Sequence, residues 1–211
     1  SNLTWDADGD GLYATYLHRG DTHLMHVGLD GEVREITDAL GGLAIGRPYT
    51  SGAYSVSDDG TVAFTHGTAT RPSDVAVVAD GRVRVLTALN DDLLAHRALG
   101  ATEEITWQSA DGLEIQGWIT RPPDFEEGRQ YPMLLENHGG PIAAYGPEFS
   151  AEVQLYAAAG YVVFYPNPRG STGYGEAFAD LLYHDYPGGD YGDVMAGVDA
   201  VIATGDVHPD S

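Results

Sequence analysis

The 211-residue chain contains no cysteine and no lysine, and its ten basic side chains are all arginines. The absence of cysteine excludes disulfides, thiolate metal sites and a cysteine nucleophile. The absence of lysine excludes Schiff-base chemistry and a P-loop lysine within this chain. A formal net charge of −22 disfavours nucleic acid as a partner, because binding to phosphates depends on basic contacts. We interpret the acidic charge as a solubility feature, with an acidic recognition surface as the alternative.

Long hydrophobic segments are also missing. The longest nearly apolar stretch, residues 156–165, is far shorter than the roughly 20 residues that a membrane helix needs. The N-terminal residues show no pattern of basic, apolar and small residues typical of an export signal. We therefore expect no membrane partner, and the cytoplasm is the expected location.

The first half of the chain contains an internal repeat, in which residues 8–38 align with residues 57–88. Three pairs of equivalent residues keep offsets of 49, 50 and 50: Gly11 and Gly60, Gly31 and Gly81, Thr37 and Thr87. Each copy has Asp-Gly turns between short alternating strands, and a period near 50 is typical of β-propeller blades. We predict propeller blades over residues 1–100, with further blades outside this sequence, because a ring needs at least about four. The alternative, a stand-alone open sheet, leaves long edges exposed.

Two patterns in this half invite a metal interpretation. The stretch "DADGDG" has the first oxygens and the glycine of a calcium loop: Asp6, Asp8, Asp10 and Gly11. Its twelfth position is Leu17 instead of a bidentate glutamate, and a strand follows it, so we favour an ordinary turn over a calcium loop. His23 and His26 fall on opposite faces of a predicted strand and cannot share a metal. We predict no metal and no cofactor.

The pattern of residues 101–211 differs, because a hairpin is followed by alternating apolar strands and helices. The hairpin is predicted over residues 105–108 and 113–120, with its turn at Asp111-Gly112. "PMLLEN" and "YVVFYP" are predicted buried strands, and between them lies a helix that Ser150 caps and Gly160 ends. This order predicts a doubly wound α/β domain.

Two further helices are predicted after the loop "NPRGSTGYG". The first, "EAFADLLYHD", contains His184 and Asp185, which as helix neighbours do not face each other, so we interpret them as surface or packing residues. The second begins at Asp190 and ends before Gly205. It places four apolar residues on one face: Val194, Val198, Val201 and Ile202.

The candidate site lies at the end of the first buried strand, in His138-Gly139-Gly140. Chemistry in α/β sheets lies beyond the carboxyl ends of the strands, and glycines let the backbone fold closely around a ligand and present N–H groups. This predicts an oxyanion hole for acyl transfer. Arg169, at the end of the second strand, is interpreted as an ion-pair partner or an organiser of its loop. Ser171 is not a candidate nucleophile, because the chain contains no G-x-S-x-G motif.

Together, "YPMLLENHGGP", "AAAGYVVFYPNPRGSTGYG" and "DYGDVMAGVDAVI" resemble the prolyl oligopeptidase family of serine peptidases, nearest its acylaminoacyl-peptidase and dipeptidyl-peptidase-like branch. The resemblance is strongest over residues 131–210, with the blades as supporting context. It implies a propeller joined to an α/β-hydrolase domain, an acyl-enzyme mechanism and oligopeptide substrates. It also places His138 in the oxyanion loop, with the N–H of Gly140 facing the substrate carbonyl. We assign Arg169 and Tyr174, from the second motif, to substrate binding.

The chain departs from the family in lacking the catalytic triad. In the family, the segment that matches "GDVHPDS" leads into the nucleophile strand, so the serine, aspartate and histidine are expected downstream. The expected partner is therefore the remainder of the catalytic domain, in the same protein or in a separate chain. Residues 1–211 alone are expected to be inactive. Two alternatives stay open: an esterase or lipase, and a non-catalytic propeller binding module joined to a degenerate hydrolase domain.

Overall fold

The computed structural model describes residues 3–140 and 142–210. Pro141 of the His-Gly-Gly-Pro motif and Ser211 lie outside these ranges. Within them, the strands form three four-stranded sheets, two in the first half of the chain and one in the second. None of the helices in these ranges is long and apolar enough to cross a membrane.

The first two sheets are antiparallel, and each follows the order of its strands along the chain. The strands of the first sheet are β1 (Leu3–Trp5), β2 (Gly11–His18), β3 (Asp21–Gly28) and β4 (Val33–Leu40). Those of the second sheet are β5 (Tyr54–Val56), β6 (Val62–Thr68), β7 (Arg71–Ala79) and β8 (Arg82–Val85). The sheets coincide with the two copies of the repeat, and each has a short first strand. Their closure into a propeller ring stays a prediction.

The two sheets pack face to face through side chains that alternate along their central strands. Leu24 of β3 and Ala76 of β7 are completely buried, and Val62 and Phe64 of β6 are almost so. This alternation of buried and partly exposed positions is what the period of two in the sequence predicts. The short helix α1 (Asp91–Leu94) follows the second sheet, and the predicted boundary near residue 100 falls between α1 and the third sheet.

The third sheet has the order β11-β12-β10-β9. Its strands are β9 (Thr102–Gln108), β10 (Glu114–Thr120), β11 (Met133–Leu135) and β12 (Val162–Asn167). The strands β9 and β10 form the predicted hairpin, and Gly112 in its turn has φ +83°. The strands β11 and β12 pair in parallel, as two strands joined by a helix should. Beyond the other edge of β11, the Tyr131 N–H donates to Asp206 O at 2.8 Å, and Val207 forms a parallel bridge with Tyr131.

Helices cover both faces of this sheet, which confirms the α/β prediction. On one face lies α2 (Ala151–Ala158), whose Val153 and Ala157 pack against Trp118 and Tyr165. Its N-terminus is capped as predicted, because the Ser150 hydroxyl accepts a hydrogen bond from the Val153 N–H at 3.1 Å. On the other face lies α4 (Gly189–Ala203), which begins one residue before the predicted start.

The predicted helix over "EAFADLLYHD" is wrong in its second half. The structure has α3 (Glu176–Ala179) and a 3-10 turn over Asp180–Leu182, after which the chain leaves helical geometry. His184 lies in the left-handed region with φ +62°, so it and Asp185 belong to a turn. Pro187 cannot donate a backbone hydrogen bond, and its ring disfavours helical geometry in the residue before it. Pro187 therefore limits any helix to the residues before Tyr186, and the backbone leaves helical geometry earlier, at Tyr183, which is extended.

The segment between the first two sheets, residues 41–52, lies against the α/β half. The Ala151 N–H at the start of α2 donates to Ile45 O at 2.8 Å, and the Ser150 hydroxyl donates to Gly46 O at 2.8 Å. The Thr50 N–H donates to Ala144 O at 3.1 Å. The first half of the chain is thus in direct contact with the loop that follows β11.

Candidate active site

The loop after β11, residues 136–145, contains the predicted site and is called the β11 loop below. His138 is half-buried, whereas Gly139 and Gly140 are exposed at the carboxyl end of the strand. Gly140 has φ +143°, and a Cβ atom placed on it would lie 2.8 Å from the Ile142 nitrogen. A Cβ on Gly139 would meet nothing within 4 Å. The backbone therefore requires glycine at 140 and tolerates a side chain at 139.

The β11 loop is fastened to the loop after β12, residues 167–174, which is called the β12 loop below. The completely buried Asn167 amide accepts from the Tyr145 N–H and donates to Tyr145 O, both at 2.8 Å. The Thr172 N–H donates to Ala143 O at 2.9 Å. Through these hydrogen bonds the β12 loop holds the backbone of the β11 loop in one conformation. This is a physical reason why the motifs "NHGGP" and "NPRGSTGYG" occur together.

His138 also contacts the β12 loop. Its Nε2 lies 3.1 Å from the Ser171 hydroxyl, and its ring meets Tyr145 edge-on at a centroid distance of 5.2 Å. Burial lowers the pKa of His138, so the ring is uncharged at neutral pH. In this position the side chain braces the loop through packing and through hydrogen bonding to the β12 loop.

An ion pair that was not predicted joins the start of the β11 loop to the first half of the chain. Glu136 accepts from the Tyr145 hydroxyl at 3.1 Å and pairs with Arg47 at 2.9 Å. Arg47 also pairs with Glu152 at the start of α2, at 3.1 Å. Burial raises the pKa of the Tyr145 hydroxyl, and the negative charge of Glu136 raises it further. The hydroxyl therefore stays protonated. Arg47 belongs to the segment between the first two sheets, so it connects that segment to the candidate site.

Arg169 forms the ion pair that its position suggested. Its Nε and Nη2 donate to the two carboxylate oxygens of Asp193 at 2.8 and 2.7 Å, and its backbone N–H donates to Asp193 at 2.9 Å. Asp111, in the turn of the hairpin, lies 2.9 Å from Nη2. Hydrogen bonding to Asp193 is the largest influence that raises the pKa of the guanidinium. The assignment of Arg169 to substrate binding stays a prediction, and these contacts favour a structural role.

Asp193 is not among the predicted site residues, although the sequence carries a signal for it. Positions 193, 197 and 201 share one face of α4 that adjoins the predicted apolar face, so the helical period indicated that Asp193 lies near the buried side. The structure leaves Asp193 completely inaccessible. A buried carboxylate requires a cationic or hydrogen-bonding partner, and Arg169 was the nearest arginine in the sequence.

Tyr174, the other residue assigned to substrate binding, supports Asn167 in the structure. Its hydroxyl donates to Gln116 Oε1 at 2.6 Å and accepts from Asn167 Nδ2 at 2.8 Å. Burial raises the pKa of this hydroxyl. The side chain also lines an open depression of about 660 Å³ between the turn at Leu17 to Arg19 and the β12 loop. The hydroxyl is already engaged by Gln116 and Asn167. A substrate-binding role for Tyr174 stays a prediction.

A cavity of about 230 Å³ lies between the β11 loop and the start of α4. Its lining combines the exposed glycines with aromatic and charged side chains: His138, Gly139, Gly140, Arg169, Tyr186 and Tyr191. Tyr186 and Tyr191 are largely exposed. The candidate oxyanion donors therefore border a space that a ligand could enter.

The stretch "DADGDG" forms a turn. One carboxylate oxygen of Asp6 accepts from the N–H groups of Gly9 and Asp10 at 2.7 and 3.0 Å, and the other lies 2.8 Å from His26 Nε2. His23 contacts Glu35 instead, so the two histidines have separate partners. Among residues 3–140 and 142–210, no three acidic or histidine side chains form a group that could hold a metal ion.

The comparisons relate the chain to proteins that are named as peptidases. Residues 147–211 match the model of the prolyl oligopeptidase family, and the chain belongs to this family. It is 35% identical over 200 residues to an uncharacterized peptidase, YuxL, of Bacillus subtilis (strain 168), a match that covers 94% of this chain and 29% of the relative. It is 28% identical over 202 residues to dipeptidyl-peptidase 5 of Porphyromonas gingivalis, covering 93% of this chain and 28% of that protein.

The solved structures agree with the sequence matches. The acylaminoacyl peptidase of Pyrococcus horikoshii superposes with a TM-score of 0.79 at 30% identity, covering 92% of this chain and 29% of that one. Dipeptidyl peptidase 4 of Porphyromonas gingivalis superposes with a TM-score of 0.75 at 22% identity, which shows a shared fold. The chain thus spans less than a third of the length of these relatives.

Proposed function

We propose that this chain forms part of a serine peptidase that hydrolyses oligopeptides through an acyl-enzyme, and that it supplies the oxyanion donor while the triad comes from outside residues 1–211. The observation that carries the proposal is the backbone of Gly140. Among the described residues its N–H has no hydrogen-bond partner, and it is exposed at the carboxyl end of a parallel strand. A fixed donor at such a place can stabilise the negative charge that develops on a carbonyl oxygen during acyl transfer.

The β12 loop supports this role by holding the donor in place. Catalysis by an oxyanion hole depends on donors that do not reorganise when the charge develops. Asn167 and Thr172 hold the C-terminal end of the β11 loop, and Ser171 contacts its N-terminal end through His138. The four-stranded sheets of the first half favour a peptidase over an esterase or lipase, because blades closed into a propeller would restrict access by substrate size.

The decisive experiment is Gly140→Val in the assembled enzyme, meaning this chain together with the segment that supplies the triad. A branched side chain at φ +143° would force the backbone to change, and loss of one oxyanion donor lowers kcat by about 10²- to 10³-fold. Hydrolysis of a chromogenic peptide measures the effect. Gly192→Ala in α4 is the matched control, because its new methyl group enters open space and Gly192 does not line the cavity at the site. Wild-type kcat in a folded Gly140→Val enzyme would refute the oxyanion assignment.

A second test concerns the chain by itself. Acyl transfer needs a nucleophile and a base, so residues 1–211 alone should hydrolyse neither a peptide nor an aryl ester, and a fluorophosphonate probe should not label them. Co-expression with a segment that carries the serine, aspartate and histidine should restore labelling of that segment. Covalent labelling of residues 1–211 would contradict the proposal. An assembled protein that cleaves aryl esters and no peptides would be an esterase, and one inert to both would be a binding module.

A further inference from the structure

We propose that Ser171 is a positioning residue, whose hydroxyl fixes the tautomer of His138 and so holds the N-terminal end of the β11 loop. The catalytic consequence of this inference rests on the proposed function, whereas the tautomer itself does not. The contact between Ser171 and His138 is compatible with two roles. A serine oxygen 3.1 Å from a histidine nitrogen has the spacing of a nucleophile and its general base, and also that of a structural hydrogen bond.

The position of the serine proton decides between these roles. A hydroxyl has one proton to donate, and Ser171 Oγ lies 2.6 Å from the carbonyl oxygen of Pro168, which can only accept. The proton is therefore committed to Pro168, and the contact with His138 must use a proton on Nε2. The backbone agrees with this arrangement, because the Ser171 N–H also donates to Pro168 O, at 3.1 Å.

This assignment excludes Ser171 as a nucleophile on structural grounds. A histidine that donates from Nε2 has no lone pair on that nitrogen with which to take the serine proton. Ser171 is also completely buried, so a substrate carbonyl cannot reach its Oγ. The contact between Ser171 and His138 therefore holds the β11 loop in place and takes no part in the chemical step.

The other ring nitrogen shows why the bond through Nε2 matters. In the uncharged ring, Nδ1 carries a lone pair, and it lies 3.3 Å from Gly139 O, which is also an acceptor. With the proton on Nε2 these two atoms cannot share a hydrogen bond, whereas a proton on Nδ1 would let the ring donate to Gly139 O, so the contacts of Ser171 and Gly139 favour opposite tautomers. The Nε2–H to Ser171 bond then orients the ring together with a side-chain contact to Asn167, and the backbone of Gly139 and Gly140 follows directly from His138.

Two substitutions of His138 in the assembled enzyme separate the roles of its nitrogens. The amide nitrogen of glutamine falls near the place of Nε2, so His138→Gln can still donate to Ser171. The amide of asparagine falls near the place of Nδ1, so His138→Asn cannot. We expect His138→Gln to retain kcat within about tenfold and His138→Asn to fall further, toward the hundredfold loss that misplacement by about 1 Å can cause.

Ser171→Ala tests the acceptor itself. It should lower kcat on a chromogenic peptide by about 10- to 100-fold with KM changed less than about twofold, because a loosened oxyanion donor acts in the transition state. Thr102→Val is the control. It removes one hydroxyl from the 2.7 Å pair of Thr102 and Thr120, at the opposite end of β10 from the β12 loop.

A spectroscopic readout makes the proposal independent of activity. With ¹⁵N-labelled histidine, the His138 signals, assigned by their loss in His138→Gln, should show a protonated Nε2 and an unprotonated Nδ1 at pH 8. Ser171→Ala should shift the Nε2 signal or introduce the second tautomer, and Thr102→Val should not. A protonated Nδ1 with a bare Nε2, or equal kcat for His138→Gln and His138→Asn, would overturn the proposal. An assembled protein without peptidase activity but with the expected signals would refute the proposed function alone.

Discussion

At the scale of single residues, the most consequential interaction is between Arg169 and Asp193. Asp193 is completely inaccessible, and its carboxylate accepts three hydrogen bonds from Arg169. Replacement of one member of such a pair leaves the other charge buried and uncompensated, which is more costly than the pair is stabilising. The pair also fixes where the β12 loop leaves the sheet, because one of the three bonds comes from the Arg169 backbone.

We expect Asp193→Ala to lower the free energy of unfolding by about 3–5 kcal/mol, because the buried guanidinium loses its main partner. Urea unfolding of the assembled protein measures this change. Asp199→Ala is the matched control, since Asp199 is exposed on the same helix. A loss below about 1 kcal/mol for Asp193→Ala would mean that Asp111 or water compensates for the missing carboxylate.

At the scale of secondary-structure elements, the sequence was most informative where one residue type ends or begins an element. Ser150 capped α2, Gly160 has φ +93°, and Gly112 has φ +83° in the hairpin turn, as their positions implied. Each of these effects depends on the local backbone, and local patterns are visible in a single sequence. The same applies to the repeat, whose Asp-Gly turns delimit the strands of the first two sheets.

The element that was predicted wrongly shows the limit of such patterns. "EAFADLLYHD" has helical composition, yet α3 ends at Ala179 and the following 3-10 turn ends at Leu182, whose side chain packs so closely on Gly170 that a Cβ there would collide with it. This close packing of the segment on the β12 loop, together with Pro187, fixes where the chain must turn. Contacts between residues far apart in the sequence are not encoded in local periodicity. The same reason applies to the contacts of Asn167 with Tyr145 and of Arg47 with Glu136, which sequence reasoning did not find.

At the scale of the whole molecule, the two halves meet at a buried carboxylate. Glu148, just before α2, is 6% exposed and accepts from the Gly42 N–H at 2.5 Å. Gly42 belongs to the segment between the first two sheets, and its carbonyl accepts from Ser73. Burial raises the pKa of Glu148 to about 7, the Gly42 N–H opposes this shift, and the negative charge of Asp21 adds to it. The contact between the halves should therefore depend on pH.

The direction of that dependence follows from the two protonation states. The ordinary pKa of Glu148 is 4.5, so between about 4.5 and 7 the folded protein binds a proton that the unfolded chain releases. The proton on Glu148 therefore stabilises the folded protein. This contribution to the free energy of unfolding is complete below about pH 4.5 and is lost as the pH rises through about 7. Glu148→Gln keeps an acceptor for the Gly42 N–H and cannot ionise. The free energy of unfolding of Glu148→Gln minus that of the wild type should therefore increase between pH 5 and pH 8, by on the order of 1–3 kcal/mol.

Urea unfolding of the assembled protein at pH 5, 6, 7 and 8 measures this difference directly, because every other titrating group contributes equally to both proteins. Glu127→Gln, in the exposed turn between β10 and β11, controls for the loss of one negative charge from a strongly acidic chain. A difference between Glu148→Gln and wild type that stays constant from pH 5 to pH 8 would show that Glu148 is already ionised in the folded protein. The contact with Gly42 would then be a charge-assisted hydrogen bond, and Glu148→Gln should be destabilising at every pH tested.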